Sequence, residues 1–97
     1  MRIKFRTAAS ADMRRLTRVS RARWGDAQTA TYVAGLRTAI NSLRECPDRY
    51  PIFEPRPDLR RMNSGQHAVF YLVTDERIEI VRVLLSVSDL EQALKDY

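Results

Sequence analysis

Residues 66–85, Gln66-His-Ala-Val-Phe-Tyr-Leu-Val-Thr-Asp-Glu-Arg-Ile-Glu-Ile-Val-Arg-Val-Leu-Leu85, read as two strands closing on the turn Asp75-Glu76. His67–Thr74 and Arg77–Leu85 are rich in β-branched and aromatic residues, the composition of a pleated, half-buried surface. With a two-residue turn, Thr74 opposes Arg77, Val73 opposes Ile78, Tyr71 opposes Ile80, Val69 opposes Arg82 and His67 opposes Leu84. Directly opposed residues share a face. One face then carries Phe70, Leu72, Val81, Val83 and Leu85, and is expected to receive the helices. The other carries His67, Val69, Tyr71, Ile78, Ile80, Arg82 and Leu84. There an Arg, a His and a Tyr lie within diagonal reach, among apolar neighbours that could seat a partner segment. Arg82 in such company needs an anion, because a buried unpaired charge is costly. An internal carboxylate such as Glu54 or Asp89 would serve, and so would an external anion. A slip of one residue would send Arg82 to the opposite face.

Working outward, Arg2–Phe5 alternates basic and apolar residues as a short strand does. A helix is expected from about Ala8 to Arg23, with Thr7 or Ser10 as its N-cap. Ala9, Met13, Leu16 and Val19 or Ser20 form its apolar stripe, leading toward Trp24. Arg14, Arg18 and Arg21 lie on a separate stripe, with Arg15 beside them. Gly25 ends that helix as a C-terminal cap, and Asp26 can cap a second helix running to about Arg44. Tyr32, Val33, Leu36, Ile40 and Leu43 supply its buried face, and Gly35 within it is expected to permit close packing. Helices joined this tightly form an antiparallel hairpin. Pro47, Pro51, Pro55 and Pro57 mark a loop up to Asp58, followed by a short strand Leu59–Met62 and the turn Asn63-Ser64-Gly65. Ser88 or Asp89 can cap a final helix, Leu90–Lys95. The expected class is α+β, one domain over residues 1–97: an antiparallel sheet of three to four strands, a helical hairpin on one face and a short C-terminal helix, in the order β-α-α-β-β-β-α.

Of the 97 residues 44% are hydrophobic, enough for a core and against wholesale disorder. No apolar run approaches the ~20 residues of a membrane helix, and no long apolar stretch follows the basic start as a signal peptide requires. A lone Cys46 leaves no intramolecular disulfide and no Cys-rich zinc site, so a reducing, cytoplasmic setting is expected. No cofactor, metal or small-molecule substrate is implied. The net charge of +5 is concentrated: residues 1–24 hold eight Arg or Lys against the single acid Asp12. Such asymmetry points to an anionic partner or to a solubilising surface.

The ordered set Ala11-Asp12-Met13, Arg23-Trp24-Gly25-Asp26-Ala27-Gln28, Tyr32 with Leu36, Cys46-Pro47, Leu59-Arg60, His67-Ala-Val-Phe-Tyr71 and Ile80-Val-Arg-Val-Leu84 resembles the ParE/RelE toxin superfamily, on its ParE-like branch. The resemblance covers about residues 5–90. It implies the toxin component of a type II toxin-antitoxin system, held inactive in a hetero-oligomer with a cognate ParD-like antitoxin. ParE-like proteins are associated with inhibition of DNA gyrase by protein binding. RelE-like relatives are ribosome-dependent mRNA endoribonucleases, the alternative reading.

Cleavage through the 2′-hydroxyl needs a base, an acid and cations beside the scissile phosphate. Arg60, Arg61 and Arg82 match basic positions of the superfamily, and His67 matches a common ParE position. Many relatives carry His where Leu85 stands, and the following Ser86-Val87 supplies no acid or base. Tyr97 is a weak catalytic Tyr candidate. No catalytic residue is therefore assigned, and a binding toxin is favoured over a nuclease. Target or antitoxin contacts are expected on the Val69/Tyr71/Ile80/Arg82 face with Arg60, Arg61 and His67, or on the helical hairpin at Trp24 and Tyr32. A nucleic-acid-binding role for Arg14, Arg18 and Arg21 has the charge, but lacks interleaved aromatic residues.

Overall fold

The first helix forms where an apolar stripe can be buried. In α1 (Thr7–Trp24) the buried positions are Ala9, Asp12, Met13, Leu16 and Ser20, one face at helical spacing. Ser20 rather than Val19 continues the stripe; Val19 is 55% exposed. Neither Thr7 nor Ser10 caps α1: Arg6 occupies the cap position without a side-chain bond. Gly25 ends the helix with φ +83° and ψ 176°, a conformation essentially restricted to glycine, and its N–H donates to the Arg21 carbonyl. The chain then reverses directly into α2 (Asp26–Asn41), which continues as a 3-10 turn, Ser42–Arg44. Asp26 is the first residue of α2 rather than its cap, and pairs with Arg21 at 3.0 Å. Gly35 faces open space, with no atom within 4 Å of where a Cβ would stand, so it does not mediate close packing.

The computed structural model describes residues 1–87 and 90–95. The strands are β1 (Arg2–Phe5), β2 (Ile52–Phe53), β3 (Arg56–Ser64), β4 (His67–Val73) and β5 (Arg77–Leu85), and α3 (Leu90–Ala93) follows them. They form a five-stranded sheet in the order β1-β5-β4-β3-β2. β1 joins β5 in parallel and the other pairs are antiparallel. The class, the element order and the hairpin are as the sequence implies. The proline-rich stretch differs: it carries a small edge hairpin, β2–β3. Pro57 is tolerated in β3 near its free end, where strand partners are few. The proposed caps Ser88 and Asp89, and Tyr97, lie outside the described residues.

The β4–β5 pair holds the main correction. Val73 opposes Ile78 and Tyr71 opposes Ile80, as the two-residue turn dictates. Then the register shifts: Phe70 opposes Arg82, Val69 opposes Val83 and His67 opposes Leu85. Val81 is the extra residue of a β-bulge, so every later side chain of β5 changes face. The helices moreover cover the opposite face from the one expected. Val69, Tyr71, Ile78, Ile80 and Val83 pack with Met13, Leu16, Leu36 and Ile40 in the larger core. Phe70, Val81 and Ala68 pack with Leu59, Leu90 and Leu94 on the reverse face, under α3. Both faces are apolar, so alternation alone could not say which one the helical hairpin takes.

At the sheet's β1 edge, Arg6 and Arg77 bond Glu79 at 2.8 and 2.9 Å, fastening the entry to α1 onto β5. These bonds, Arg6 first, hold the Glu79 carboxyl below its ordinary range. The β3–β4 turn has positive φ at Gly65 only, the pattern of a type II′ hairpin. A Cβ on Gly65 would stand 2.6 Å from the Tyr32 ring.

Two substitutions separate these glycines. Gly65→Ala adds both left-handed strain and a clash, and is expected to lower stability by roughly 1–3 kcal/mol. Gly35→Ala has room and a better helix former, and is expected to raise it by up to ~1 kcal/mol. Urea denaturation measures both. A destabilised Gly35→Ala would mean that its surroundings are closed.

Candidate functional site

Asp12 sits on the buried stripe of α1 with its carboxyl turned to the end of β5. It accepts from Arg82 Nε at 2.7 Å, Arg82 Nη2 at 2.9 Å and the Val83 backbone N–H at 2.9 Å. Arg82 also donates to the Ala93 carbonyl of α3 at 3.4 Å. The anion needed by Arg82 is thus internal, and among the described residues it is Asp12 and not Glu54; Asp89 lies outside them. The Asp12 bonds hold the guanidinium above its ordinary pKa. Arg15 stands 3.5 Å from the same carboxylate but is exposed, so it adds little. The signal for Asp12 was in the sequence: it is the one acid of residues 1–24, and it falls on an apolar stripe.

His67 opens β4 at 6% exposure. Its Nδ1 lies 2.6 Å from the Tyr32 hydroxyl of α2. That hydroxyl accepts from the Gln66 N–H at 3.0 Å and donates to the Ser64 carbonyl at 3.3 Å. One phenol therefore pins the β3–β4 turn to the helical hairpin. Burial pushes the His67 imidazole below its ordinary 6.5, and the Asp12 charge opposes this. Trp24 packs its ring 6.1 Å from Tyr32, and the Arg23 guanidinium lies 5.8 Å from the centre of the Trp24 ring.

The remaining candidates do not converge. Val69, Tyr71 and Ile80 are fully buried beneath the protein's own helices and present no side chain to a partner. Tyr71 donates to the Pro47 carbonyl at 2.9 Å, and burial pushes its phenol up to about 12. Arg60 donates to the Tyr50 carbonyl at 2.7 Å and faces Asp48. Arg61, on the other side of β3, bonds Asn63 at 2.9 Å and lies 5.8 Å over the Phe70 ring.

What is left accessible lies along α1. On one flank an apolar cavity of about 220 Å³ is lined by Leu16, Val19, Trp24, Val83, Leu84 and Leu85, with Asp12, Arg15, Arg23 and His67 also at its wall. Val19 and Leu85 are 55% and 46% exposed. On the other flank Arg14, Arg18 and Arg21 line a wider groove with Arg37.

Over residues 3–89 the chain matches the family model described as ParE toxin of type II toxin-antitoxin system, parDE. The chain belongs to the ParE toxin family. It is 40% identical over 77 residues to Toxin ParE1 of Caulobacter vibrioides, covering 78% of this chain and 79% of that protein. It is 34% identical over 89 residues to Toxin ParE1 of Mycobacterium tuberculosis, covering 90% and 91%. Its backbone matches a chain of the chromosomal ParDE TA system from P. aeruginosa with a TM-score of 0.77 at 16% identity, covering 88% of this chain and 95% of that one. A chain of the RelBE2 toxin-antitoxin complex from M. tuberculosis matches with a TM-score of 0.61 at 22% identity, covering 87% and 95%. At such identities the structural likenesses establish the fold, which is the ParE/RelE one the sequence implied.

Truncating Asp12 leaves a mostly buried guanidinium and a buried N–H without their acceptor. Asp12→Ala is expected to cost about 3 kcal/mol in urea denaturation, whereas Arg15→Ala should cost well under 1 kcal/mol. Equal effects would show that the clamp carries no weight.

The His67 linkage has a definite sign. Its folded pKa lies below 6.5, so the unfolded chain takes up the proton first as pH falls. The contribution of neutral His67 is whole above about pH 6.5 and is lost as pH drops from there toward the lower folded value. The difference in unfolding free energy between wild type and His67→Gln should shrink over that interval. A difference independent of pH there would contradict the assignment.

Proposed function

We propose that this ParE-family toxin acts by gripping a protein target, DNA gyrase, rather than by cutting RNA, and that a cognate ParD-like antitoxin neutralises it in a hetero-oligomer. The site of action is then the cytoplasm. The observation that carries this reading is the engagement of His67 and Arg82, the candidate groups at this end of the sheet. The one imidazole is buried with Nδ1 against Tyr32, Arg82 is committed to Asp12, and Leu85, Ser86 and Val87 beyond them offer neither acid nor base. General acid-base catalysis needs such a group within reach of substrate.

For the antitoxin, the structure supports one of the two expected surfaces. The sheet face is closed by the protein's own helices, whereas the flank of α1 near Trp24 is open and apolar. A helical or extended segment with apolar anchors would fill the cavity between Val19 and Leu85. Acidic residues in it would meet Arg15 and Arg23. Leu85, which departs from the His common in the superfamily, then serves as a wall of this seat.

Purified protein is expected to inhibit gyrase supercoiling, with activity restored by the antitoxin. No inhibition, together with A-site cleavage in primer extension on translated mRNA, would replace this reading with the endoribonuclease one. Val19→Asp should weaken the antitoxin complex at least about tenfold by calorimetry, with an unchanged circular dichroism melt because Val19 is exposed. Undiminished affinity would move the antitoxin to another surface.

A further inference from the structure

We infer that the arginine-lined groove between α1 and α2 binds the phosphate backbone of double-stranded DNA. Two depressions of about 510 and 300 Å³ share Phe5 and Arg37 and together form this groove. Arg14, Arg18 and Arg21 line it from α1, and Arg37 and Arg44 from α2 and the turn after it. No Asp or Glu is among its described lining residues. Arg21 alone of these has a carboxylate partner, Asp26 at 3.0 Å, with both side chains exposed. The side chains of Arg14, Arg18, Arg37 and Arg44 make no ion pair or hydrogen bond with another described residue.

Self-repulsion makes such a row unfavourable for the fold itself, and an anionic occupant would relieve it. The shape of the row narrows the occupant. From Arg14 to Arg21 the stripe runs ~10 Å along the helix, the length of about three phosphates of one strand in a duplex. Arg37 and Arg44, seven residues apart, add to this charge from α2 and the turn after it. The only aromatic residue in the lining is Phe5, half-buried against the core. Stacking platforms of the kind that hold single strands are therefore missing among the described residues. What the groove offers is charge along a line, which suits the backbone of a duplex. The choice of DNA over an RNA duplex rests on the gyrase reading; the duplex-backbone chemistry does not.

The test is fluorescence anisotropy of the toxin alone with a labelled DNA duplex of about 20 base pairs, titrated between about 50 and 200 mM salt. Affinity should fall with salt with a logarithmic slope of about −4, the value for four to five phosphates neutralised. The double variant Arg14→Glu/Arg37→Glu should bind at least tenfold more weakly, with a slope shallower by about 2. The double variant Arg44→Glu/Arg49→Glu shares only one groove position, since Arg49 lies against Tyr50 in the loop, and should lose less. Equal loss in both variants would reduce the effect to net charge and overturn the inference. So would binding insensitive to salt, tighter binding of an RNA duplex or of a single strand, or protection of the groove by the antitoxin's acidic segment in place of DNA. A toxin that fails to inhibit gyrase yet shows this salt slope and variant pattern would lose the target reading and keep the groove.

Discussion

A single carboxylate organises the meeting of three elements. Asp12 projects from the buried side of α1, takes both nitrogens on one edge of Arg82, and receives the next backbone N–H of β5. Arg82 in turn reaches the last residue of α3. β1 covers β5 only as far as Ile80, so beyond that point the strand has no neighbour on this side. Asp12 takes over there what a strand partner would do. A bidentate charge-assisted pair also fixes angles as well as distance, and so sets how α1 lies across the sheet.

The same economy governs the polar residues beside it. Tyr32, His67, Ser64 and Gln66 satisfy one another around a two-residue turn. The Tyr32 hydroxyl and the His67 imidazole are turned inward to close the fold. α1 thereby becomes a divide. One flank, with Leu16, Val19 and Trp24, shows an apolar seat, and the other, with Arg14, Arg18 and Arg21, shows positive charge. Under the function proposed above, in which one macromolecule restrains the toxin and another is its target, two such unlike surfaces on one helix have separate uses.

The sequence made much of the architecture legible. Gly25 marked the helical reversal, Asp75-Glu76 marked the last hairpin, and β5 runs over the residues expected. What stayed hidden has physical causes. Both sheet faces are apolar, so the pattern that distinguishes inside from outside in a one-sided sheet was missing, and the helices were assigned to the wrong one. The bulge at Val81 has no local marker, because no glycine announces it. Tyr71 and Ile80, ahead of the bulge, pair as the turn dictates, and it is the helices that cover them. Asp12 and Arg82 stand 70 residues apart, a distance over which a pairing cannot be read from spacing. Arg37 and Arg44 joined the basic stripe only once α2 had folded back.

The extra residue in β5 has a wider meaning for how such a chain can change. Ahead of it, odd and even positions keep one assignment; past it, they trade places. Deleting Val81 would restore an unbroken ladder and leave every later side chain on its present face, whereas closing the bulge at unchanged strand length would exchange their environments. The guanidinium would turn away from its acid and the outward wall of the apolar seat would turn in. What lies beyond the bulge therefore keeps its sense when the extra residue is lost, but not when the ladder is closed around it.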